Sequence, residues 1–86
     1  MHVTFSRVFT KQREKAPEKI RKALDKRLDL FINSPNNPIL NNHTLTGEYR
    51  GFRSINITGD WRAVFAEIDS KTAYFEMLGT HSQLYK

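Results

Sequence analysis

The stretch from Phe52 to Gly79, FRSINITGDWRAVFAEIDSKTAYFEMLG, decides the fold. Phe52 to Thr58 reads as one strand and Trp61 to Ile68 as a second, joined by a tight turn at Thr58-Gly59 or Gly59-Asp60. Asp69-Ser70-Lys71 makes another turn, and Thr72 to Gly79 a third strand. Consecutive strands joined by tight turns are antiparallel neighbours. Side chains alternate across a strand, and both turn choices sort the hairpin alike. Ile55, Ile57, Val64, Ala66 and Ile68 share an aliphatic face; Phe52, Ser54, Asn56, Trp61, Ala63 and Phe65 share a mixed one. The aliphatic face is expected to take the helices. The mixed face, with Asn56 beside the only Trp, is expected to stay free for a ligand.

Upstream, residues 2–6 alternate with Val3 and Phe5 to one side, which predicts a short strand. Thr10 is a cap for a short helix through Lys15. Pro17 then interrupts and opens a second helix, with Glu18 in its first turn. There Ile20, Leu24, Leu28 and Ile32 recur every four residues on one face. Asn33-Ser34-Pro35-Asn36-Asn37-Pro38 is a dense stop signal, and residues 39–50 read as a connection. The order β-α-α-β-β-β predicts an α+β fold: a small antiparallel sheet with two helices packed on one face, one domain over residues 1–86.

Composition narrows the function. The chain has 86 residues, ten aromatics and no cysteine, which excludes disulfides, thiolate metal sites and thiol nucleophiles. The longest apolar run, Ala63 to Ala66, is far short of the ~20 residues of a membrane span. No apolar stretch follows Met1, so a cytoplasmic location without membrane contact is expected. The net charge is +5. All of that excess lies in residues 1–33, where nine basic residues face four acidic ones. Such asymmetry fits a polyanion or an acidic partner, and equally a solvated helix face with pairs such as Glu18–Lys22.

Few residues carry chemistry. His2 sits at the terminus, His43 in the connection and His81 just past the last strand. Asp60 is a turn former and Trp61 a packing residue on ordinary grounds. His43, Asp60 and His81 have no metal-ligand spacing, and there is no phosphate loop or serine-nucleophile motif. Acid–base chemistry with imidazoles and one carboxylate remains. Phosphodiester cleavage by an adjacent 2′-hydroxyl needs only that, because RNA brings its own nucleophile.

From residue 43 the motifs become specific in combination. They are His43-Thr-Leu45-Thr-Gly47-Glu-Tyr49-Arg50-Gly51-Phe-Arg53, then Gly59-Asp60-Trp61-Arg62, then Gly79-Thr80-His81-Ser-Gln-Leu84-Tyr85. The sequence resembles toxins of type II toxin–antitoxin systems in the RelE/ParE superfamily, closest to the YafQ-like branch. The resemblance implies an mRNA endonuclease acting on the ribosome without metal or cofactor, and inhibited by a cognate antitoxin. His81 would be general acid, and Asp60 or His43 general base or phosphate positioner. Trp61 would shape the pocket and Tyr85 orient or stack on a base. Arg50, Asn56 and Arg62 would contact substrate. Asn56 stands where the branch often has histidine; it can hydrogen-bond but cannot shuttle a proton near neutral pH. Two other readings accompany this one: a non-catalytic gyrase inhibitor like other superfamily members, and a plain RNA-binding module. An enzyme of this kind requires His43, Asp60, Trp61 and His81 to converge.

Overall fold

The structure is a computed structural model that describes residues 1–85. Its strands are β1 (His2–Phe5), β2 (His43–Thr44), β3 (Arg53–Asn56), β4 (Trp61–Asp69) and β5 (Thr72–Thr80). Its α-helices are α1 (Arg7–Lys15), α2 (Glu18–Asn33) and the single turn α3 (His81–Leu84). The strands form one sheet in the order β1-β5-β4-β3-β2. The α+β class and element order agree with the sequence reading, with β2 and α3 added.

The sheet is mixed rather than antiparallel throughout. Strands β2 to β5 pair antiparallel, and β1 lies parallel to β5 with Val3 opposite Ala73. A parallel neighbour requires a crossover, which α1 and α2 provide. Strand β1 ends at Phe5; the Ser6 N–H still donates to Phe75 O at 2.9 Å, and side chains then continue the pairing with β5. Ser6 Oγ donates to the carbonyl of Glu76 at 2.7 Å, and Gln12 Oε1 accepts from the N–H of Leu78 at 2.7 Å. Backbone groups of β5 that would be orphaned under α1 are thereby satisfied.

Ser6, and not Thr10, caps α1: its Oγ accepts from Phe9 N at 2.9 Å. Phe9 is the buried residue of that helix, so the cap sets the turn that delivers it to the core. Ser6→Ala removes both bonds of a buried hydroxyl and is expected to cost about 1–2 kcal/mol, measured as a drop in urea midpoint at constant slope.

The hairpin contains the main correction. Ile57 N–H donates to Trp61 O at 2.8 Å, so the loop is the three residues Thr58-Gly59-Asp60. Ile55 therefore faces Ala63, and Asn56 faces Arg62. A shift of one residue moves every side chain of β4 to the other face. The helix-covered face holds Ile55, Ile57, Ala63 and Phe65, against Phe9, Ile20, Leu24, Leu28 and Phe31. Val64 opposes Ser54 on the other face, and Ile68, expected inside, is 62% exposed. The physical reason is the aromatic core. Phe31 meets Phe65 at 5.0 Å and Phe75 at 5.4 Å between ring centroids, both edge-on. Phe65 thereby joins the rings of Phe31 and Phe75 in the core, and Ile68, near the end of β4, is left to solvent. The mixed face is thus not the one read from sequence: Trp61 packs on the helix side, and Asn56 stays opposite it.

Candidate active site

Three segments converge at the end of the sheet where β2 lies. The first is the connection before β3. The 3-10 turn Pro38–Leu40 ends at Asn41, whose φ of 47° is left-handed, a conformation asparagine tolerates better than most residues. That reversal places His43 at the start of β2, opposite Ser54 of β3. Asn42 fastens the segment below: it donates to Pro35 O at 2.9 Å and accepts from Arg53 Nε at 2.8 Å. His43 itself is bound through Nδ1 to the carbonyl of Asn41 at 2.6 Å.

The second segment is the C-terminus. Thr80 and Gln83 cap α3 reciprocally, so His81 is its first helical residue. The N–H of His81 donates to Asp60 O at 2.9 Å, and Tyr49 Oη donates to Leu84 O. Gly79 lies directly under α3: a Cβ there would meet Gln83 Oε1 at 3.1 Å and Leu84 Cγ at 3.3 Å. The rings follow one another across the site. His81 stands edge-on to Tyr85 at 4.9 Å and Tyr85 edge-on to Tyr49 at 5.6 Å. Tyr85 Oη donates to the buried Ser54 at 3.1 Å, which fixes the phenol over β3.

The third contribution is Arg62 of β4. Its guanidinium donates to the carbonyls of Thr58 at 3.0 Å, Trp61 at 3.1 Å and Gly59 at 3.1 Å, holding the hairpin loop shut. Together these segments line an open cavity of about 630 Å³, with His43, Arg62, His81, Tyr85, Tyr49 and Glu48 in its wall. Such a wall offers two imidazoles, a guanidinium and two phenols set edge-on: groups that can move protons, neutralise an anion and hold a flat base.

The expected residues divide. His43, Arg62, His81 and Tyr85 are brought together. Asp60 is exposed outside the cavity wall, and its backbone carbonyl, not its carboxylate, anchors α3. Trp61 lines a separate cleft on the helix side with Gln12, Lys15, Ala16 and Leu78, so it does not shape this pocket. Asn56 shares the face of Arg62 but lies outside the wall; its Oδ1 is buried without a hydrogen-bond partner. Arg50 is exposed and outside the wall as well. His43 and His81 share the cavity wall and Asp60 adjoins His81 through its backbone carbonyl, whereas Trp61 lies in the cleft on the helix side. Sequence reasoning missed Asn41, Glu48 and Tyr49. The usable signal was Gly47-Glu48-Tyr49-Arg50-Gly51, where Gly47 at φ 65° and Gly51 at φ 97° both require glycine and bracket a tight turn. Among the described residues no three His, Asp or Glu side chains are grouped to hold a metal ion, and no helix is long and apolar enough to cross a membrane.

Comparison with known proteins adds to this geometry. The family model for the bacterial toxin of type II toxin–antitoxin systems, YafQ, matches residues 1–86. The crystal structure of YafQ from E. coli strain BL21(DE3) superposes with a TM-score of 0.81 at 24% identity, covering 98% of this chain and 97% of that one. The toxin in the E. coli DinJ-YafQ complex gives 0.73 at 23% identity, covering 98% and 97%. A YoeB/ParE toxin from Agrobacterium tumefaciens gives 0.76 at 14% identity, covering 94% and 99%. No curated protein matches the sequence significantly.

Proposed function

The chain belongs to the YafQ family of bacterial type II toxin–antitoxin toxins, and on that premise we propose that it is a metal-independent endonuclease that cuts messenger RNA on the ribosome. The observation that carries the reading is the meeting of His43 and His81 with Arg62 in one cavity.

The chemistry follows from the contacts of each ring. A carbonyl oxygen only accepts hydrogen bonds, so the bond to Asn41 O places the proton of neutral His43 on Nδ1. The lone pair is then on Nε2, and His43 is the base. Nε2 removes the 2′-hydroxyl proton of RNA, and the freed oxygen bonds to the adjacent phosphorus. Arg62 neutralises the charge that gathers on the phosphoryl oxygens. The bond from phosphorus to the 5′-oxygen breaks, and the imidazolium of His81 gives that oxygen its proton. The products are a 2′,3′-cyclic phosphate and a 5′-hydroxyl, with no water or metal consumed. Tyr85, pinned by Ser54, supplies a face for a base. Asp60 acts through its backbone, by holding the N–H of His81.

Mapping transcript 5′ ends on programmed ribosomes tests this. Cuts within translated codons, leaving 5′-hydroxyl ends, are expected; intact transcripts with arrested DNA replication would turn the reading to a gyrase inhibitor.

The partners follow the same line. Solved complexes of YafQ with DinJ and of YoeB with YefM support an antitoxin partner for this chain. The basic groove formed by Lys19, Lys22, Lys26 and Arg27 beside Thr58 is a surface for ribosomal phosphates. Replacing Lys19, Lys22 and Lys26 by Gln is expected to weaken ribosome binding and flatten its salt dependence, by at most about one unit of log–log slope per lost phosphate contact. An unchanged slope would return these lysines to a solvated face.

A further inference from the structure

Glu48 is the one carboxylate in the cavity wall among the described residues. It sits in the 3-10 turn Gly47–Tyr49, and that turn is fixed on both sides. Gly47 and Gly51 hold its left-handed ends, and Tyr49 ties it to α3 through Leu84 O and to Tyr85 through ring contact. Arg13 pairs with Asp25, Lys22 with Glu18 and Arg53 with Glu67, whereas neither oxygen of Glu48 has an ion pair or side-chain hydrogen bond among the described residues. Arg62, in the same wall, directs three of its five N–H donors to carbonyls and forms no ion pair with Glu48.

A free carboxylate in a site that takes RNA has a narrow set of uses. It repels phosphates, so the scissile phosphate belongs with Arg62 and the histidines and not against this carboxylate. It accepts hydrogen bonds and donates none. What it holds favourably is a neutral group with donors, and in RNA that is the Watson–Crick edge of an unstacked base. The neighbouring Tyr49 and Tyr85 supply the aromatic surface on which such a base rests.

The four bases differ along that edge. Adenine and cytosine each place one amine beside a ring nitrogen that accepts, which would face the second carboxylate oxygen. Uracil places one N–H between two carbonyls. Guanine alone sets two donors side by side, N1–H and the N2 amine, to meet both oxygens. We infer that Glu48 selects guanine in the RNA strand at this cavity, as a specificity residue for the cleavage reaction. The inference rests on the endonuclease reading above.

Single-turnover cleavage on ribosomes programmed with codons differing only in the base next to the scissile bond tests it. The wild-type chain is expected to prefer guanine at one position by roughly ten- to a hundred-fold, the discrimination of one bidentate base contact. In Glu48→Ala and Glu48→Gln the ratio of guanine to other codons is expected to fall to within about three-fold, since Gln presents one acceptor and one donor where two acceptors are needed. Glu48 is exposed and unpaired among the described residues, so both variants should fold, checked by circular dichroism. Unchanged ratios in both variants, or a wild-type preference for another base, overturn the assignment to Glu48 and leave the endonuclease intact. A wild-type chain that cuts no codon overturns both.

Discussion

On the proposed mechanism, His81→Ala is expected to lower single-turnover cleavage of ribosome-bound mRNA by ~10²–10⁴, the range for removing a general acid. The 5′-oxygen then departs without a proton, and no other group in the wall replaces it: Arg62 holds its protons and the Tyr85 hydroxyl is engaged by Ser54. His81→Gln is expected to be about as damaging, because Gln keeps a hydrogen bond but cannot release a proton to the leaving group. Folding should survive both changes. His81 is exposed, and α3 is held by its backbone bond to Asp60 O, by the Thr80–Gln83 capping box and by Leu84. The pH–rate profile separates chemistry from positioning. Loss of the acid removes the fall in rate at high pH, whereas a merely misplaced helix scales the whole profile down. Near-normal rates in His81→Gln would send the search for the acid elsewhere.

His43→Ala is expected to lose a similar ~10²–10⁴, this time with the low-pH limb of the profile removed. Added imidazole should restore part of the rate, since the cavity is open and the truncated side chain leaves room at its wall. A second variant tests the positioning through Asn41. Asn41→Gly keeps the left-handed turn and the carbonyl, and should stay within a few-fold of the parent chain. Asn41→Val places a β-branched residue at φ 47°, which costs on the order of 1–3 kcal/mol and displaces the acceptor of His43 Nδ1. Equal rates for the Gly and Val variants would show that the Asn41 carbonyl does not set the base.

The local patterns in the chain anticipated much of this molecule. The recurrence of Ile20, Leu24 and Leu28 places α2 on the core, but Ile32, read on the same face, is exposed and Phe31 is buried instead, because steps of four drift off a 3.6-residue repeat. The strands after residue 52 and the stop at Asn33 to Pro38 were likewise legible in local pattern. The residue motifs singled out His43, Arg62, His81 and Tyr85, which share the cavity, and also Asp60, which meets His81 through its backbone, and Trp61, which lines a separate cleft.

What the sequence by itself determined is the main elements in the order β-α-α-β-β-β, without β2 and α3, and the residue types available for chemistry, all fixed by interactions within a few residues. The tertiary structure decided three things beyond that list. Thr58-Gly59-Asp60 is locally compatible with a loop of two residues or three, and the contacts of Phe65 with Phe31 and Phe75 selected three. That choice alone moved Trp61 to the helix side and brought Arg62 to the face where the histidines meet. Strand β1 found β5, seventy residues away, through the crossover helices. His43 and His81 met because β2 adds to β3 at one edge, while α3 folds over Gly79 and is caught by Tyr49. Each of these outcomes is a contact between distant segments, settled by which arrangement buries the aromatic rings and pairs the strands, and no window of neighbouring residues contains that comparison.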